Sequence, residues 1–245
     1  MTDSLKKIGM TLLVASVFHL ASSVSPLSRA MAQQGGDNYV PPSCSGDPAA
    51  GPVKCNYQNG DNYIGGFANG VPNGRGVYVY ANGDRYEGLF SAGRPNGQGT
   101  FIFANDARYE GTFQNGNIVR GNAVFPDGSR YEGPFEVVQY VGSGEITSQP
   151  AGQGQFVFSN GDRYVGAFFA GQPFGQGTLT RGDGTRCQGQ FFNQNLDANG
   201  TCTFPNGTRY EGELRQGVPH GQGVLIDGAG RRFPGQFRDG QRVEL

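Results

Sequence analysis

The sequence predicts an all-β protein built from stacked antiparallel β-hairpins. Three observations support this fold class: Gly supplies 43 of the 245 residues, apolar and polar residues alternate over short stretches, and one motif recurs about every 23 residues. Abundant glycine and alternation with period two are typical of short, half-buried strands joined by tight turns. Outside the N-terminus no stretch has the apolar spacing of a long amphipathic helix, so we expect little helix.

The first 32 residues have a different composition from the rest. Lys6 and Lys7 precede an apolar run over residues 8–24, and small residues lead up to Ala32. This order is the layout of a secretory signal peptide cleaved after Ala32, which predicts an exported, periplasmic or extracellular protein. An uncleaved membrane anchor is the alternative and stays open, although His19 interrupts the run and the run is short for a bilayer.

Charge and cysteine content limit the possible partners and the compartment. Removing residues 1–32 takes away three cations and one anion, which moves the formal charge from −1 to −3. A mildly acidic protein has no general attraction to nucleic acid. All four cysteines follow residue 32, and an even number in an oxidising compartment favours disulfides.

The repeat is the dominant feature of the chain. Taking Tyr86 as position 1 of a unit, a Gly stands at position 3, Phe or Leu at position 5, Gly at position 14 in most units, and apolar residues at positions 16 and often 18. Each unit therefore predicts one hairpin with a Pro- and Gly-containing turn such as "AGRPNG", and inter-unit turns such as "ANGD". The position-1 residues are Tyr63, Tyr86, Tyr109, Tyr131, Tyr164, Cys187, Tyr210 and Phe233.

The opposite face of each hairpin carries a column of Arg before position 1 and often a Glu after it. In "RYEG" the two charges flank Tyr86 and so share the other face of the strand. Two interpretations stay open for this column. It is either a binding stripe for an acidic partner or a solvated face of weak ion pairs that fixes the strand register.

The stretch "YEGLFSAGRPNGQGTFIFANDARYEG" resembles the membrane occupation and recognition nexus (MORN) repeat, with its aromatic and glycine start, G-x-x-x-G-x-G centre and 23-residue period. The resemblance covers residues 61 to 241, in seven units and the start of an eighth. It implies an elongated, twisted, single-layer antiparallel sheet similar to a β-solenoid. It implies no enzymatic activity by itself.

The unit headed by Tyr131 contains ten added residues at its expected hairpin tip. This insertion is apolar enough to contact another molecule, through Val137, Val138, Tyr140 and Val141. The alternative is a longer hairpin that folds back on its own sheet.

Cysteines replace core residues at two places. Cys187 and Cys202 occupy positions 1 and 16 of one unit, which face each other across a hairpin, so we expect a disulfide there. Cys55 falls at position 16 of a degenerate unit, and Cys44 falls near its position 5. We predict a Cys44–Cys55 bond that closes an N-terminal cap over residues 33–60, followed by the repeat array over residues 61–245.

The catalytic inventory is small. Beyond residue 32 the only histidine is His220, at an expected hairpin tip, and the only lysine is Lys54, so we predict no enzyme, no cofactor and no metal site. Carboxylates recur in the inter-unit turns, where a row of calcium sites is the less favoured alternative to simple turns because each turn offers only one. These carboxylates are Asp84, Asp127, Asp162 and Asp183.

These observations predict a non-enzymatic, exported repeat protein that acts as a protein-interaction or envelope-associated scaffold, with an unidentified protein partner. Binding to membrane phospholipid is the second hypothesis, since the Arg column permits it while the charge of the exported chain opposes it. A groove that acts on glycans is a third, which needs two opposed carboxylates that the repeat does not supply.

Overall fold

The computed structural model describes residues 40–139 and 146–243. The predicted signal peptide, residues 33–39 of the predicted cap, and Tyr140 and Val141 of the insertion lie outside these residues. In the described part of the chain, no helix has the length and apolar character needed to cross a membrane.

Nineteen strands account for the described secondary structure. They are β1 (Ser43–Ser45), β2 (Val53–Asn56), β3 (Asn62–Ala68), β4 (Val71–Val79), β5 (Arg85–Ser91), β6 (Arg94–Ile102), β7 (Arg108–Gln114), β8 (Asn117–Val124), β9 (Arg130–Gln139), β10 (Ile146–Pro150), β11 (Gly152–Val157), β12 (Arg163–Phe169), β13 (Gln172–Thr180), β14 (Arg186–Phe191), β15 (Ala198–Thr203), β16 (Arg209–Arg215), β17 (Val218–Ile226), β18 (Arg232–Arg238) and β19 (Gln241–Val243).

All nineteen strands form one open antiparallel sheet, in which neighbours in sequence are neighbours in space. The exception is β9, whose first half pairs with β11 and whose second half pairs with β10. The predicted fold class, a single sheet of stacked hairpin repeats, is confirmed.

The hairpin turns are shorter than the sequence predicted. In the unit headed by Tyr86, Ser91 pairs with Arg94, so the turn is Ala92 and Gly93 alone. Both residues have positive φ, 49° and 80°, as a two-residue type I′ turn requires. The prediction that Pro95 and the following Gly belong to the turn is wrong, because both already lie in β6.

In five units the tyrosine at position 1 lies over two glycines of its own unit. Gly166 and Gly177 pair across β12 and β13, and a Cβ on Gly177 would come within 2.6 Å of Cζ in the Tyr164 ring. The Tyr164 hydroxyl donates a hydrogen bond of 3.0 Å to the carbonyl oxygen of Ala167. The repeated glycines are therefore required to leave room for a ring.

Each ring also contacts the next unit. The rings of Tyr164 and Phe191 meet edge to face, with centroids 5.0 Å apart, and Tyr86 and Phe113 repeat this contact at 5.0 Å. Where a ring lies over a glycine pair, as in the units headed by Tyr86 and Tyr164, it is the unit's own. The core consists of this row of rings on one face of a single sheet.

The buried tyrosines make the fold sensitive to alkali. Burial raises the pKa of Tyr63, Tyr109, Tyr131, Tyr164 and Tyr210 to about 12 each. A raised pKa stabilises the folded state below pH 10, and this stability is lost as the pH rises from 10 to 12. We expect the free energy of unfolding to fall across this interval, with tyrosine ionisation followed at 295 nm. Native-state ionisation of all tyrosines at pH 10 would contradict this, and the chain in guanidinium provides the reference titration.

The inter-unit turns are tied to one another by carboxylates. Asp84 Oδ1 accepts a hydrogen bond of 2.8 Å from the backbone N–H of Ala104 in the next turn, and Asp162 Oδ1 accepts one of 3.0 Å from Gly182. Asp127 and Asp183 instead accept from the backbone two residues further on, at 2.9 and 2.7 Å. Across the described residues, no three His, Cys, Asp or Glu side chains converge as metal ligands would.

The four cysteines lie in two directly opposed cross-strand pairs. The sulfur atoms of Cys44 and Cys55 are 2.04 Å apart, and those of Cys187 and Cys202 are 1.97 Å apart. Cys44 lies opposite Cys55 in the column that position 1 occupies in other units, rather than near position 5. The two pairs therefore occupy the same place in the repeat.

Candidate partner-binding surface

The sheet has two different faces. One carries the tyrosine row, and the other, which we call the outward face, carries the even positions 2, 4 and 6 of each unit together with the Arg before position 1. Along β5 the outward residues are Arg85, Glu87, Leu89 and Ser91. A partner that binds without disrupting the core has to use this outward face or the hairpin edges.

Part of the outward face is covered by ion pairs. Arg85 meets Glu87 at 2.8 Å, and Arg108 meets Glu110 at 2.8 Å. Near the other end, Glu211 accepts from both Arg209 and Arg232, at 3.3 and 3.0 Å, which joins two units. Exposed pairs of this kind contribute about 0.2–1 kcal/mol each, so here the solvated, register-fixing interpretation of the Arg column fits.

A shallow groove of about 700 Å³ lies in this ion-paired part of the face, over β3 to β7. Its floor is the backbone of paired glycines such as Gly76 and Gly88, and its walls include Ile64, Leu89 and Glu87. Three of its four charged lining residues, Glu87 among them, are in ion pairs, and Arg75 is the exception. A ligand in this groove would have to compete with existing ion pairs.

The outward face of β11 to β15 is different, and we call it the neutral part. These five strands contain no Asp, Glu or Lys, and their only charged residues are Arg163 and Arg186. Val165 and Gln188 stand where other units have Glu. Among residues 40–139 and 146–243, neither guanidinium has a carboxylate within ion-pair distance; Arg163 donates to the Gln155 side chain instead.

Three exposed phenylalanines lie at the hairpin-tip edge of the neutral part, and we call them the phenylalanine cluster. Phe169, Phe174 and Phe192 are 61%, 45% and 44% exposed. The rings of Phe169 and Phe174 have centroids 5.9 Å apart and are tilted by 48°. Position 6, which holds Phe169 and Phe192, is Ala, Ser or Gln in the first three units, so exposed rings here are specific to two consecutive units.

The insertion extends the neighbouring hairpin. The β9–β10 ladder runs from Phe135 and Pro150 to Gln139 and Ile146, whereas the ordinary hairpin ends at Ser91. It therefore continues three residues further along the strand, about 10 Å. Val137 is 43% exposed, while Val138 is half-buried.

The extended hairpin adjoins the phenylalanine cluster. Pro150 at the end of β10 accepts a hydrogen bond of 3.1 Å from the backbone N–H of Gly171, in the turn that follows Phe169. The β10 side of the insertion thus lies next to the exposed rings. Its contact with a partner through Val137 and Val138 stays a prediction.

Sequence reasoning missed the phenylalanine cluster and misplaced His220. His220 lies inside β17 rather than at a hairpin tip, and its carbonyl oxygen accepts a 3.0 Å hydrogen bond from the Tyr210 hydroxyl. The sequence carries a signal for the cluster: "AFFAGQPFG" places Phe169 at position 6 and Phe174 at position 11, next to the columns that form the core.

A sequence model described as MORN repeat matches residues 63–85, 86–108, 148–163, 164–186, 187–209 and 210–230. Together these segments cover more than half of the chain. Comparison with curated protein sequences finds no match.

Comparison with solved structures finds matches of low sequence identity. The TCP domain of Drosophila melanogaster SAS-4 (dCPAP), solved with a proline-rich motif of Ana2 (dSTIL), is 15% identical, and the match covers 72% of this chain and 92% of that one at a TM-score of 0.42. A mutant of the TCP10 domain of Danio rerio CPAP is 17% identical, with 80% and 95% covered at a TM-score of 0.41.

Proposed function

The chain belongs to the MORN repeat family, whose members are interaction repeat proteins, and from this membership we propose that it is a non-enzymatic, exported protein-interaction or envelope-associated scaffold. The observation that carries the proposal is the phenylalanine cluster. Three large apolar side chains about half exposed to water, on the face of the sheet opposite the core, are typical of a surface that another molecule covers.

The composition of the neutral part favours a protein partner. The centres of protein interfaces are enriched in aromatic residues and Arg and depleted in Lys, Glu and Asp. The outward face of β11 to β15 has this composition, while the ion-paired part over β5 to β7 has the composition of ordinary solvated surface. The extended β9–β10 hairpin beside the cluster adds contact area at its edge.

Two bonded cysteine pairs support the export part of the proposal. Both pairs hold neighbouring strands of the sheet, and disulfides persist in oxidising compartments such as the periplasm or the extracellular space. The signal peptide that we infer from residues 1–32 would direct the chain there. The pairs and the leader point to the same compartment.

Capture of partners from an envelope extract tests the function. We expect the tagged protein to retain specific partners, and Phe169→Gln with Phe192→Gln to reduce the captured amount at least tenfold, because a hot-spot ring contributes about 2 kcal/mol or more to binding. A second variant replaces residues 137–148 by Asn-Gly, so that a two-residue turn closes the existing Glu136–Gln149 pair.

Ile64→Gln with Val79→Gln is the matched control, since these outward residues are also exposed, at 41% and 38%, but lie in the ion-paired part. It should leave capture unchanged. Equal capture by the wild type and the phenylalanine variant would remove the cluster from the proposal. Equal capture after shortening of the hairpin would remove the insertion.

Phospholipid binding is a second candidate, favoured by those arginines of the described residues that have no carboxylate within ion-pair distance, such as Arg130, Arg163 and Arg186. Flotation with anionic vesicles distinguishes it, because an electrostatic mode weakens between low and physiological salt.

A further inference from the structure

The charge distribution of the neutral part indicates the chemistry of its partner. Resting on the proposed function, we propose that the neutral part binds an acidic polypeptide segment, with apolar side chains of the segment on the phenylalanine cluster and its carboxylates on Arg163 and Arg186. The positive charge of this part has no acidic residue on its own five strands to balance it.

Two parallel rows of side chains form the binding surface. Arg163 and Phe169 lie on one face of β12, six residues and about 20 Å apart; Arg186 begins β14, and Phe192 directly follows the last residue of that strand. One strand, β13, separates β12 from β14, so the two arginines are about 9.6 Å apart across the sheet. The surface therefore offers cations along one edge and rings along the other.

Amide and hydroxyl groups fill the space between the rows. Gln176 on β13 donates a 3.0 Å hydrogen bond to Gln190 on β14, and Thr178 pairs with Gln188. These groups can donate to and accept from a polypeptide backbone without imposing a charge of their own. Val165 and Ala167, at the centre of β12, are short and apolar, so a bound chain can lie close to the sheet there.

A polypeptide fits this surface better than the other anionic polymers. The rings of Phe169 and Phe174 are tilted by 48°, so they form a cleft for a side chain rather than a flat platform for sugar rings. An anionic membrane would face the whole Arg column, including the part where Glu87 and Glu110 already neutralise it. An extended acidic segment can instead lie along the neutral part alone, over Arg163 and Arg186.

The test is selection of a displayed library of random 16-residue peptides on the exported part of the chain. We expect the enriched peptides to combine at least two carboxylates with an aromatic or aliphatic anchor. Binding of a synthetic peptide from this set, measured by fluorescence anisotropy, should weaken at least tenfold in the double variant Arg163→Gln, Arg186→Gln. Its salt dependence should also decrease, because two charge contacts are gone.

The matched control is Arg85→Gln with Arg108→Gln, which removes the same charge from guanidinium groups that already bind Glu. It should change the affinity less than twofold, and thermal unfolding should show that both variants are folded. Enrichment of neutral or basic peptides, or of none, overturns the inference, as does equal binding by the two double variants.

Two further arms identify a different occupant. Phosphatidylglycerol vesicles or soluble alginate that bind through Arg163 and Arg186, when no acidic peptide does, would also overturn the inference and assign the site to lipid or glycan. The proposed function is judged separately, by partner capture and its loss on changing Phe169 and Phe192. If capture of a protein partner requires the rings but is unchanged by both arginine substitutions, the proposed function is supported. Only the inference of an acidic segment is then overturned.

Discussion

Replacing Gly177 by Ala is expected to lower the free energy of unfolding by about 3 kcal/mol, which is the scale of overpacking a well-filled core together with the loss of a hydrogen bond. The added Cβ would come within 2.5 Å of Cε2 and 2.6 Å of Cζ in the Tyr164 ring. The ring cannot move away freely, because Phe168 and Phe191 hold it edge to face at 5.3 and 5.0 Å. Displacement would also break its hydroxyl contact with Ala167.

The control for this substitution lies five residues away. Gly182 has no atom within 4 Å of the place of a Cβ, and its φ is not positive. Gly182→Ala should therefore change stability by less than about 0.5 kcal/mol. Urea unfolding of both variants gives the comparison, and similar stabilities would show that the glycines are not there to accommodate the rings.

Removing the Cys187–Cys202 bond is expected to cost about 3 kcal/mol, the effect of opening a loop of about this length. The two residues are 15 apart in sequence and fully buried. They replace the residues at positions 1 and 16, so this clear unit has an aromatic residue at neither position. Repeat arrays unfold as blocks coupled through neighbouring units. The variant Cys187→Ala, Cys202→Ala should then unfold in two steps in urea, because its weakest unit divides the sheet.

The other bond supplies the contrast. Cys44 lies in the three-residue strand β1, whose residues are all exposed at one end of the sheet. Cys44→Ala with Cys55→Ala should increase hydrogen exchange in β1 and β2 and leave the remaining strands protected. A single unshifted transition in the first variant would contradict the central role of Cys187–Cys202. Four free thiols, found by mass mapping of the protein from its own cells under non-reducing conditions, would contradict both bonds and export.

The hairpin columns could be predicted because each is set by one simple requirement. Position 1 needs a ring and positions 3 and 14 need room for it, so the pattern at Tyr86, Gly88 and Gly99 specifies strand, face and register together. The same columns brought Cys187 opposite Cys202. Where a single requirement repeats in every unit, the sequence shows it directly.

The turns and the binding surface were harder to predict. Ala92 has a φ of 49°, and alanine is unusual in a type I′ turn. Pro95 predicts a turn around itself, but it lies in β6, two residues after the actual turn ends. The phenylalanine cluster depends on side chains outside the core columns, which vary between units because no ring needs them. Arg163 has no Glu on its own strand, because Val165 stands at position 2 of its unit.

Because each unit is one hairpin, equivalent residues are evenly spaced along the outward face. Each unit adds two strands, so equivalent side chains recur about every 9.6 Å across the sheet, which is close to the length of three extended residues of a bound chain. Arg163 and Arg186 are one such interval apart, and Phe169 and Phe192 occupy equivalent positions in the same two units. Two consecutive altered units therefore specify the spacing of the binding residues in a partner as well as their chemistry. Two residues of a bound extended chain that contact equivalent positions of these units should be about three residues apart.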